Sequence, residues 1–343
     1  MDVKLLHKLI DAYGISGDEE EVREIIKKEI ESFVDELYVD KMGNLIAHKK
    51  GAKPRVMLAA HMDEVGLMVK SIDETGKMRM SMIGFIEPAS LVGQKVHIKT
   101  KPPSKSIDGV ITTRELQEAR EMEELPKNIS ELYIDTGLNM EQLKKAGVEI
   151  GDYVIPEEKA FFLGSEEFIS GKAIDDRVGC YILIDLIKRL KNIKHDLYFV
   201  FTVQEEIGLY GAKTSAFFVE PDWAIAVDVT SAKDADKPRT NIVGEGPCLT
   251  IKDSEMIANK CINDWLKEIA KKKSIPLQLE VADVGTTDAM NISISRSGVP
   301  STVIGVAVRN LHTTASFASQ KDIKHCIELL FELLKKPPKI CMV

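Results

Sequence analysis

The sequence lacks several features that would place it in a specialised class of protein. Its five cysteines, Cys180, Cys248, Cys261, Cys326 and Cys341, include no CxxC pair, and no apolar run approaches the roughly 18–20 residues of a transmembrane helix. An odd number of widely spaced cysteines predicts reduced thiols in a cytosolic protein rather than a disulfide framework. The first residues show no basic segment followed by a long apolar one, so we expect no signal peptide.

The chain lacks a net positive charge and has few aromatic side chains. The 343 residues carry a formal net charge of -8, and Phe, Trp and Tyr make up 6% of them. An acidic chain disfavours general binding to nucleic acids or anionic membranes, so we expect neither partner, whereas cationic ligands such as metal ions fit the charge. The length predicts two domains, at roughly 100–200 residues each.

The pattern of candidate strands divides the chain into two parts. Residues 1–70 and 165–343 alternate between strand and helix patterns, which predicts one α/β domain with a sheet flanked by helices. Residues 71–164 contain short strands separated by Gly, Pro, Asp and Lys, which predicts an inserted β-barrel or sandwich. Inside this insertion, the charged segment 113–128 is interpreted as a loop or a short exposed helix.

A helix start is predicted near residue 16. Ser16 and Glu19 have the spacing of a capping box, in which the two side chains cap the first backbone amides of a helix. Apolar residues at helical spacing follow, beginning with Val22 and Ile25. Ser16 is therefore predicted to be the N-cap of an amphipathic helix.

Polar residues of metal-ligand type follow the predicted strands. In open α/β sheets, ligands bind outside the carboxyl ends of the strands, so these residues are expected to converge on one edge. They are His61 and Asp63 after the strand 55–61, Glu205 and Glu206 after 197–203, Asp228 after AIAV, and His312 after 299–308, with Asp175 and Asp176 at the start of a helix over 175–190.

Each of these residues also has an ordinary structural interpretation. A single histidine after a strand is more often a satisfied core or surface group than a ligand. Asp175 and Asp176 would cap the helix that they begin, and Glu205 and Glu206 would form a solvated turn. The functional interpretation depends on the number of clusters that are expected at one sheet edge, because solvation alone does not explain five of them there.

The residue types favour a two-metal site. Two histidines with several carboxylates and no cysteine suit zinc, cobalt or manganese, and there are too many ligands for one tetrahedral ion. Two ions roughly 3.5–4 Å apart need a carboxylate that bridges them, and they hold a water between them. Of two adjacent glutamates, one would bind metal and the other would take the proton from that water.

The motifs resemble those of the tetrahedral co-catalytic metallo-aminopeptidases, metallopeptidase family 42, which includes glutamyl and deblocking aminopeptidases and relatives labelled endoglucanases. The resemblance runs along nearly the whole chain and keeps the order of the family. It is carried by AHMDEVGLMV (60–69), GKAIDDRVGC (171–180), TVQEEIGLYGA (202–212), AVDVT (226–230) and the histidine after VAVRNL (306–311).

The resemblance implies five metal ligands: His61, Asp175, Glu206, Asp228 and His312. Asp175 would bridge two divalent ions, zinc or cobalt or alternatively manganese. Glu206 and His312 would complete one site, and Asp228 would complete the other. Glu205 would be the general base and would pass its proton to the leaving amine, while Asp63 would orient His61.

The resemblance further implies a zinc-exopeptidase-like fold, short peptides as substrates and a cytoplasmic location. The inserted barrel would mediate dimerisation, and dimers would assemble into a hollow tetrahedral dodecamer. Two departures concern the substrate pocket: Thr286 and Met290 are bulkier than the glycines common in the family, and no glutamate follows His312 closely.

Two other functions compete with an aminopeptidase. A polysaccharide hydrolase would also use paired carboxylates, but it would leave the histidines without a role and would normally have more aromatic residues. A binding or assembly protein with a vestigial metal site would not need Glu205 intact.

Overall fold

The structure is a computed structural model that describes residues 1–100, 106–113, 126–157, 159–191, 193–235 and 237–338. Residues 114–125 of the charged segment and Cys341 lie outside the described residues. The strands are β1 (Glu36–Val39), β2 (Leu45–Lys49), β3 (Ala52–His61), β4 (Gly66–Ile72), β5 (Met78–Ile83), β6 (Lys95–Lys99), β7 (Ile107–Thr112), β8 (Tyr133–Asp135), β9 (Tyr153–Pro156), β10 (Phe161–Phe162), β11 (Phe168–Gly171), β12 (His195–Thr202), β13 (Trp223–Ser231), β14 (Cys248–Lys252), β15 (Gln278–Val281), β16 (Ser301–Arg309) and β17 (Ser316–Ser319). The helices are α1 (Val3–Asp11), α2 (Glu20–Ile30), α3 (Met140–Lys145), α4 (Ile174–Arg189), α5 (Tyr210–Val219), α6 (Lys260–Lys273), α7 (Asp288–Ser293) and α8 (Gln320–Lys335).

The predicted fold class is confirmed: a mixed sheet flanked by helices is accompanied by a closed β-barrel. The eleven-stranded sheet has the order β1-β2-β12-β3-β13-β16-β17-β11-β10, with β14 and β15 attached through β16. At its centre β12, β3, β13 and β16 run parallel to one another. Central parallel strands are buried on both faces, which explains why their sequences are nearly continuous apolar runs.

Helices cover the sheet on both faces because successive side chains of a strand point to opposite sides. Along β3, Val56 and Leu58 belong to the core shared with α1, α2, α4, α6 and α8. Met57 and Ala59 belong to the opposite core, which is shared with α5 and α7. The strand ends are therefore fixed between two packed layers, and these ends carry the candidate site.

The barrel closes in the order β4-β5-β8-β7-β6-β9 around its own apolar core. Its first strand begins at Gly66, before the expected domain boundary at residue 70. At the other end, β10 pairs with β11 of the main sheet, although it precedes the expected boundary at residue 164. The barrel strands thus occupy residues 66–156.

The cysteines differ from the expectation in one respect. Cys180, Cys248 and Cys326 are buried free thiols, as predicted. Cys261 is disulfide-bonded, so the expectation that all thiols are reduced is wrong for this residue. Among the described residues, none of the helices has the length and apolarity needed to cross a membrane.

Candidate active site

The candidate site lies where the parallel strands end. The ladder between β3 and β12 reaches the last residue of each strand, pairing His61 with Thr202, so Glu205 and Glu206 follow close to His61. The ladder between β3 and β13 stops earlier, at Ala59 and Ala226. His61 and Asp228 therefore lie beyond the last residues that pair β3 with β13. This is where an open α/β sheet leaves room for a ligand.

The structure brings the five predicted metal ligands together. His61 Nε2 lies 2.9 Å from Asp175 Oδ1 and 3.8 Å from Asp228 Oδ1. His312 Nε2 lies 3.2 Å from Asp175 Oδ2 and 3.4 Å from Glu206 Oε2. Asp175 thus presents one carboxylate oxygen to each histidine and lies between two groups of ligand atoms.

The capping and the metal-binding interpretations of the Asp175–Asp176 pair each apply to one of the two residues. Both have non-helical backbone angles at the start of α4, and the peptide bond between them is cis. Asp176 behaves as a cap, because its Oδ1 accepts a hydrogen bond from Gly179 N at 2.9 Å, and its Oδ2 accepts one from His61 N at 3.3 Å. Asp175 points to the two histidines instead.

Asp63 lies beside His61, but its carboxylate has other partners. The Nδ1 atom of His61 lies 3.0 Å from the main-chain carbonyl of Asp63 and 3.5 Å from its Oδ1. A carbonyl oxygen only accepts, so Nδ1 carries a proton, and Nε2 is the ring nitrogen that faces Asp175 and would be free to bind a metal ion once it loses its own proton. The Asp63 carboxylate accepts from the backbone amides of Glu205 and Glu206 at 3.0 and 3.1 Å, and from the Ser16 hydroxyl at 2.5 Å.

Glu205, Glu206 and Asp228 have raised pKa values because they are buried among other acids. Burial, with the charge of Asp175, raises the pKa of Glu206 to about 8, and burial raises the pKa of Asp228 to about 7. Burial also raises the pKa of Glu205 well above its ordinary value, and the charges of Asp228 and Glu206 add to this shift.

The pKa values of His61, His312 and Asp175 shift in the directions that ion pairing produces: up for the histidines and down for the aspartate. Burial opposes the charge of His312, but its hydrogen bond to Asp175 and the charge of Glu206 raise its pKa to about 9. The pKa of His61 is raised well above its ordinary value against the effect of burial, mainly by Glu205 and Asp175. Asp175 is also buried, yet its hydrogen bonds to the two histidines lower its pKa.

These ligand atoms fit divalent metal ions. Two groups have all their ligand atoms within 4.8 Å of one another: His61, Asp175 and Glu206, and His61, Asp176 and Asp228. The Oε1 atom of Glu206 is buried without a hydrogen-bond partner, so an ion would satisfy an otherwise orphaned oxygen. Imidazole and carboxylate donors suit zinc, cobalt or manganese, and cations would offset the crowding of buried acids.

Two features of the site escaped the sequence-based prediction. Ser16 and Glu19 do not form a capping box: α2 begins at Glu20, its N-cap Glu19 makes no side-chain capping bond, and the Ser16 hydroxyl donates to Asp63. Asp288, at the start of α7, is buried beside the site and accepts from the Thr202 hydroxyl at 2.5 Å, while its Oδ1 has no partner. No spacing signal in the sequence distinguishes Asp288 from an ordinary helix-start aspartate.

Comparison with known proteins agrees with this geometry. A family model described as M42 glutamyl aminopeptidase matches residues 43–329. A putative aminopeptidase of Acetivibrio thermocellus is 39% identical to this chain, with 96% of this chain and 97% of that protein covered. A lysyl aminopeptidase of Pyrococcus furiosus is 34% identical, with 98% of this chain and 97% of that protein covered.

A solved structure extends the likeness to three dimensions. The TET1 peptidase of Pyrococcus horikoshii, described as able to assemble into a tetrahedron or a large octahedral shell, superposes with a TM-score of 0.87 at 30% identity, covering 97% of this chain and 98% of that one. The family indicated by the sequence motifs is confirmed. This chain, a peptidase, belongs to the M42 glutamyl aminopeptidase family.

Proposed function

We propose that this peptidase removes N-terminal residues from short peptides with two divalent metal ions. The observation that carries the proposal is the position of Asp175 between His61 and His312. One ion would be held by His61, Asp175 and Asp228. The other would be held by Asp175, Glu206 and His312. When bound, the two ions would lower the pKa of a water molecule and polarise the scissile carbonyl.

Glu205 supplies the proton transfer in this proposal. Its side chain is buried, and burial keeps its pKa well above the ordinary range, whereas a cation nearby would bring that pKa back toward neutral pH. A carboxylate that titrates near the working pH is an effective general base. Glu205 would take the proton of the attacking water and deliver it to the leaving amine, and the neighbouring carboxylates would favour the free α-ammonium group of a peptide.

A narrow cavity lies beside His312, where the first side chain of a substrate would enter. Val65, Ile86, Leu91 and Thr314 line it, and among the described residues Lys172 is its one basic side chain besides His312 itself. Lys172 Nζ donates to Glu64 Oε2 at 2.7 Å and to the Ala12 carbonyl at 3.1 Å, so its charge is already neutralised. This lining supports a preference for neutral N-terminal residues over acidic ones.

Our proposals for the assembly and the location of the protein rest on its family alone. We propose that the barrel mediates dimerisation and that dimers form a tetrahedral dodecamer in the cytoplasm, with zinc or cobalt in the site. Support comes from the Pyrococcus horikoshii relative, which assembles into a tetrahedron or a large octahedral shell.

A panel of aminoacyl-p-nitroanilides and their N-acetylated counterparts tests the activity. The protein would be assayed as purified, after EDTA, and after addition of Zn²⁺ or Co²⁺. We expect metal-dependent cleavage of the free-amino compounds only, because the proposal places the α-amino group inside the site. Cleavage of the acetylated set at equal rate, or activity that survives EDTA, would contradict it.

A further inference from the structure

The segment that carries both site glutamates makes an unusual set of hydrogen bonds. We call residues 203–206 the glutamate turn. Each of its four successive backbone amides donates to a side-chain oxygen from the first 63 residues of the chain: Val203 N to Asn44 Oδ1 (3.0 Å), Gln204 N to Glu19 Oε1 (3.2 Å), Glu205 N to Asp63 Oδ1 (3.0 Å) and Glu206 N to Asp63 Oδ2 (3.1 Å).

We propose that Ser16, Glu19 and Asn44 are positioning residues that fix the glutamate turn and thereby aim Glu205 at the substrate. The inference rests on the proposed function, because it assumes that Glu205 is the base. It assigns no chemistry to these three residues themselves.

The turn needs external support because its backbone is strained. Gln204 has a φ of 55°, in the left-handed region that residues other than glycine rarely occupy. Such conformations cost energy and persist only where the surroundings determine them. Glu19 provides such a surrounding: it is 5% exposed, and the oxygen that accepts from Gln204 also accepts from Gly17 N at 2.7 Å.

Asn44 holds the first residue of the turn. Besides accepting from Val203, it donates through Nδ2 to the Gly211 carbonyl at 3.1 Å and to Asp40 Oδ2 at 2.7 Å. A Cβ atom at Gly211 would lie 2.4 Å from Asn44 Oδ1, so the glycine permits this close approach. Asn44 therefore connects the start of the turn to the first residues of α5.

Ser16 acts one step further away, through Asp63. Its hydroxyl donates to the same Oδ2 atom that accepts from Glu206, at 2.5 Å. The carboxylate of Asp63 is thus fixed by three donors besides the nearby His61 ring, and both of its oxygens face the turn. Loss of the Ser16 hydroxyl would leave that carboxylate free to rotate and would loosen the amides of both glutamates.

Precise aim matters for this chemistry. A general base must lie within hydrogen-bond reach of the proton that it takes. A misplacement of about 1 Å costs roughly 100-fold in rate, and catalytic groups need a supporting layer that locks their geometry. Here the supporting layer comes from the N-terminal segment and not from the strand that precedes the glutamates.

Paired substitutions test the proposal. Ser16→Ala and Glu19→Ala each remove the supporting oxygen, whereas Ser16→Thr and Glu19→Gln retain an oxygen that can make the same bond. Glu20→Ala is the matched control, because Glu20 is the exposed neighbour of Glu19. The readouts are backbone hydrogen exchange of the peptide containing residues 203–206, in metal-free and metal-loaded protein, then metal content, kcat and KM.

We expect exchange in the glutamate turn to become about 10-fold faster in both alanine variants, with kcat reduced by about 10-fold and KM and metal content near wild type. The conservative variants should recover most of the exchange protection and of kcat. Unchanged exchange in both alanine variants would overturn the proposal. A fall in kcat that only parallels lost metal or lost folded protein would also overturn it, because a purely structural role predicts that pattern.

A Glu205→Gln variant separates this inference from the proposed function. Full turnover in Glu205→Gln would refute the proposed function. Loss of turnover in Glu205→Gln together with normal kcat in Ser16→Ala and Glu19→Ala would refute only the positioning roles.

Discussion

Glu206 and Asp228 in the candidate site have pKa values that shift in the opposite direction from that of Asp108 in the barrel. In the barrel, Asp108 is exposed on β7 and pairs with His97 at 2.6 Å and Lys95 at 3.3 Å, and these partners lower its pKa. At the sheet edge, burial raises the pKa of Glu206 to about 8 and that of Asp228 to about 7. The same chemical group is thus a solvated ion in one region and a desolvated acid in the other.

The difference shows what distinguishes a site from ordinary surface charge. Exposed ion pairs contribute little and need no further partner, because water screens both charges. Buried acids that crowd together are costly unless protons or cations neutralise them. A fold that keeps such a crowd on rigid strand ends gives up stability there, and divalent ions are the ligands that would return it.

The largest expected effect separates the base from the metal ligands. Glu205→Gln should lose about 1000-fold in kcat while keeping its metal, because it removes a proton acceptor that makes no metal contact in our proposal. His312→Ala should lose metal together with activity. His97→Ala, a histidine of the barrel, serves as the control and should retain both. The measurements are kcat and metal content by mass spectrometry, and equal metal content with equal activity in the Glu205 and His312 variants would contradict the assignment.

The next largest effect concerns the dependence of the free energy of unfolding on pH. Glu206 and Asp228 have folded-state pKa values of about 8 and about 7, above their ordinary values of 4.5 and 3.8. A carboxyl whose pKa is raised by folding contributes stability when protonated, and this contribution disappears as the pH rises through the folded-state pKa. The metal-free protein should therefore lose stability from about pH 5 to about pH 8, on the order of several kcal/mol.

Metal should reverse this trend. Protons compete with metal for the same ligands, so affinity rises with pH and the loaded protein gains stability over the same interval. Urea unfolding at pH 5.5, 7 and 8, with EDTA and with Zn²⁺, measures both curves. A metal-free protein that becomes more stable with rising pH would show that the site acids are not crowded as described.

Part of the candidate site could be predicted from the sequence. Apolar runs followed by His61, Glu205, Glu206 and His312 indicate strand ends, and parallel strands bring their ends together, so the site composition follows from local patterns. Asp288 could not be found in this way, because its burial depends on the packing of α7.

Ser16 and Glu19 illustrate a second limit. The capping-box spacing was satisfied, but Asp63, Gly17 and Gln204 compete for the same side chains, and these partners become neighbours only after folding. The barrel shows a third limit. Its pattern of short strands was recognised, but the first strand begins at Gly66, inside the motif at 60–69, and this motif crosses from one domain to the other.

A smaller effect is expected from the apolar core of the barrel. Ile134 lies on β8 and is fully buried, so Ile134→Ala should reduce the free energy of unfolding by about 2–4 kcal/mol through lost burial and a residual cavity. Metal content and kcat of the folded fraction should stay near wild type, because the proposed ligands lie outside the barrel strands. A loss of metal in proportion to stability would show that the two regions are coupled more tightly than the comparison assumes.

The smallest effect should come from the exposed acid of the barrel. Asp108→Asn removes an exposed carboxylate whose partner Lys95 is also exposed, so the midpoint of urea unfolding should not change measurably at neutral pH. Glu74→Gln, at an exposed turn of the same barrel, is the matched control. If Asp108→Asn destabilised the protein clearly more than Glu74→Gln did, the ion pairs of Asp108 would contribute to stability despite their exposure. Burial alone would then not explain why the pKa of Asp108 shifts in the opposite direction from those of Glu206 and Asp228.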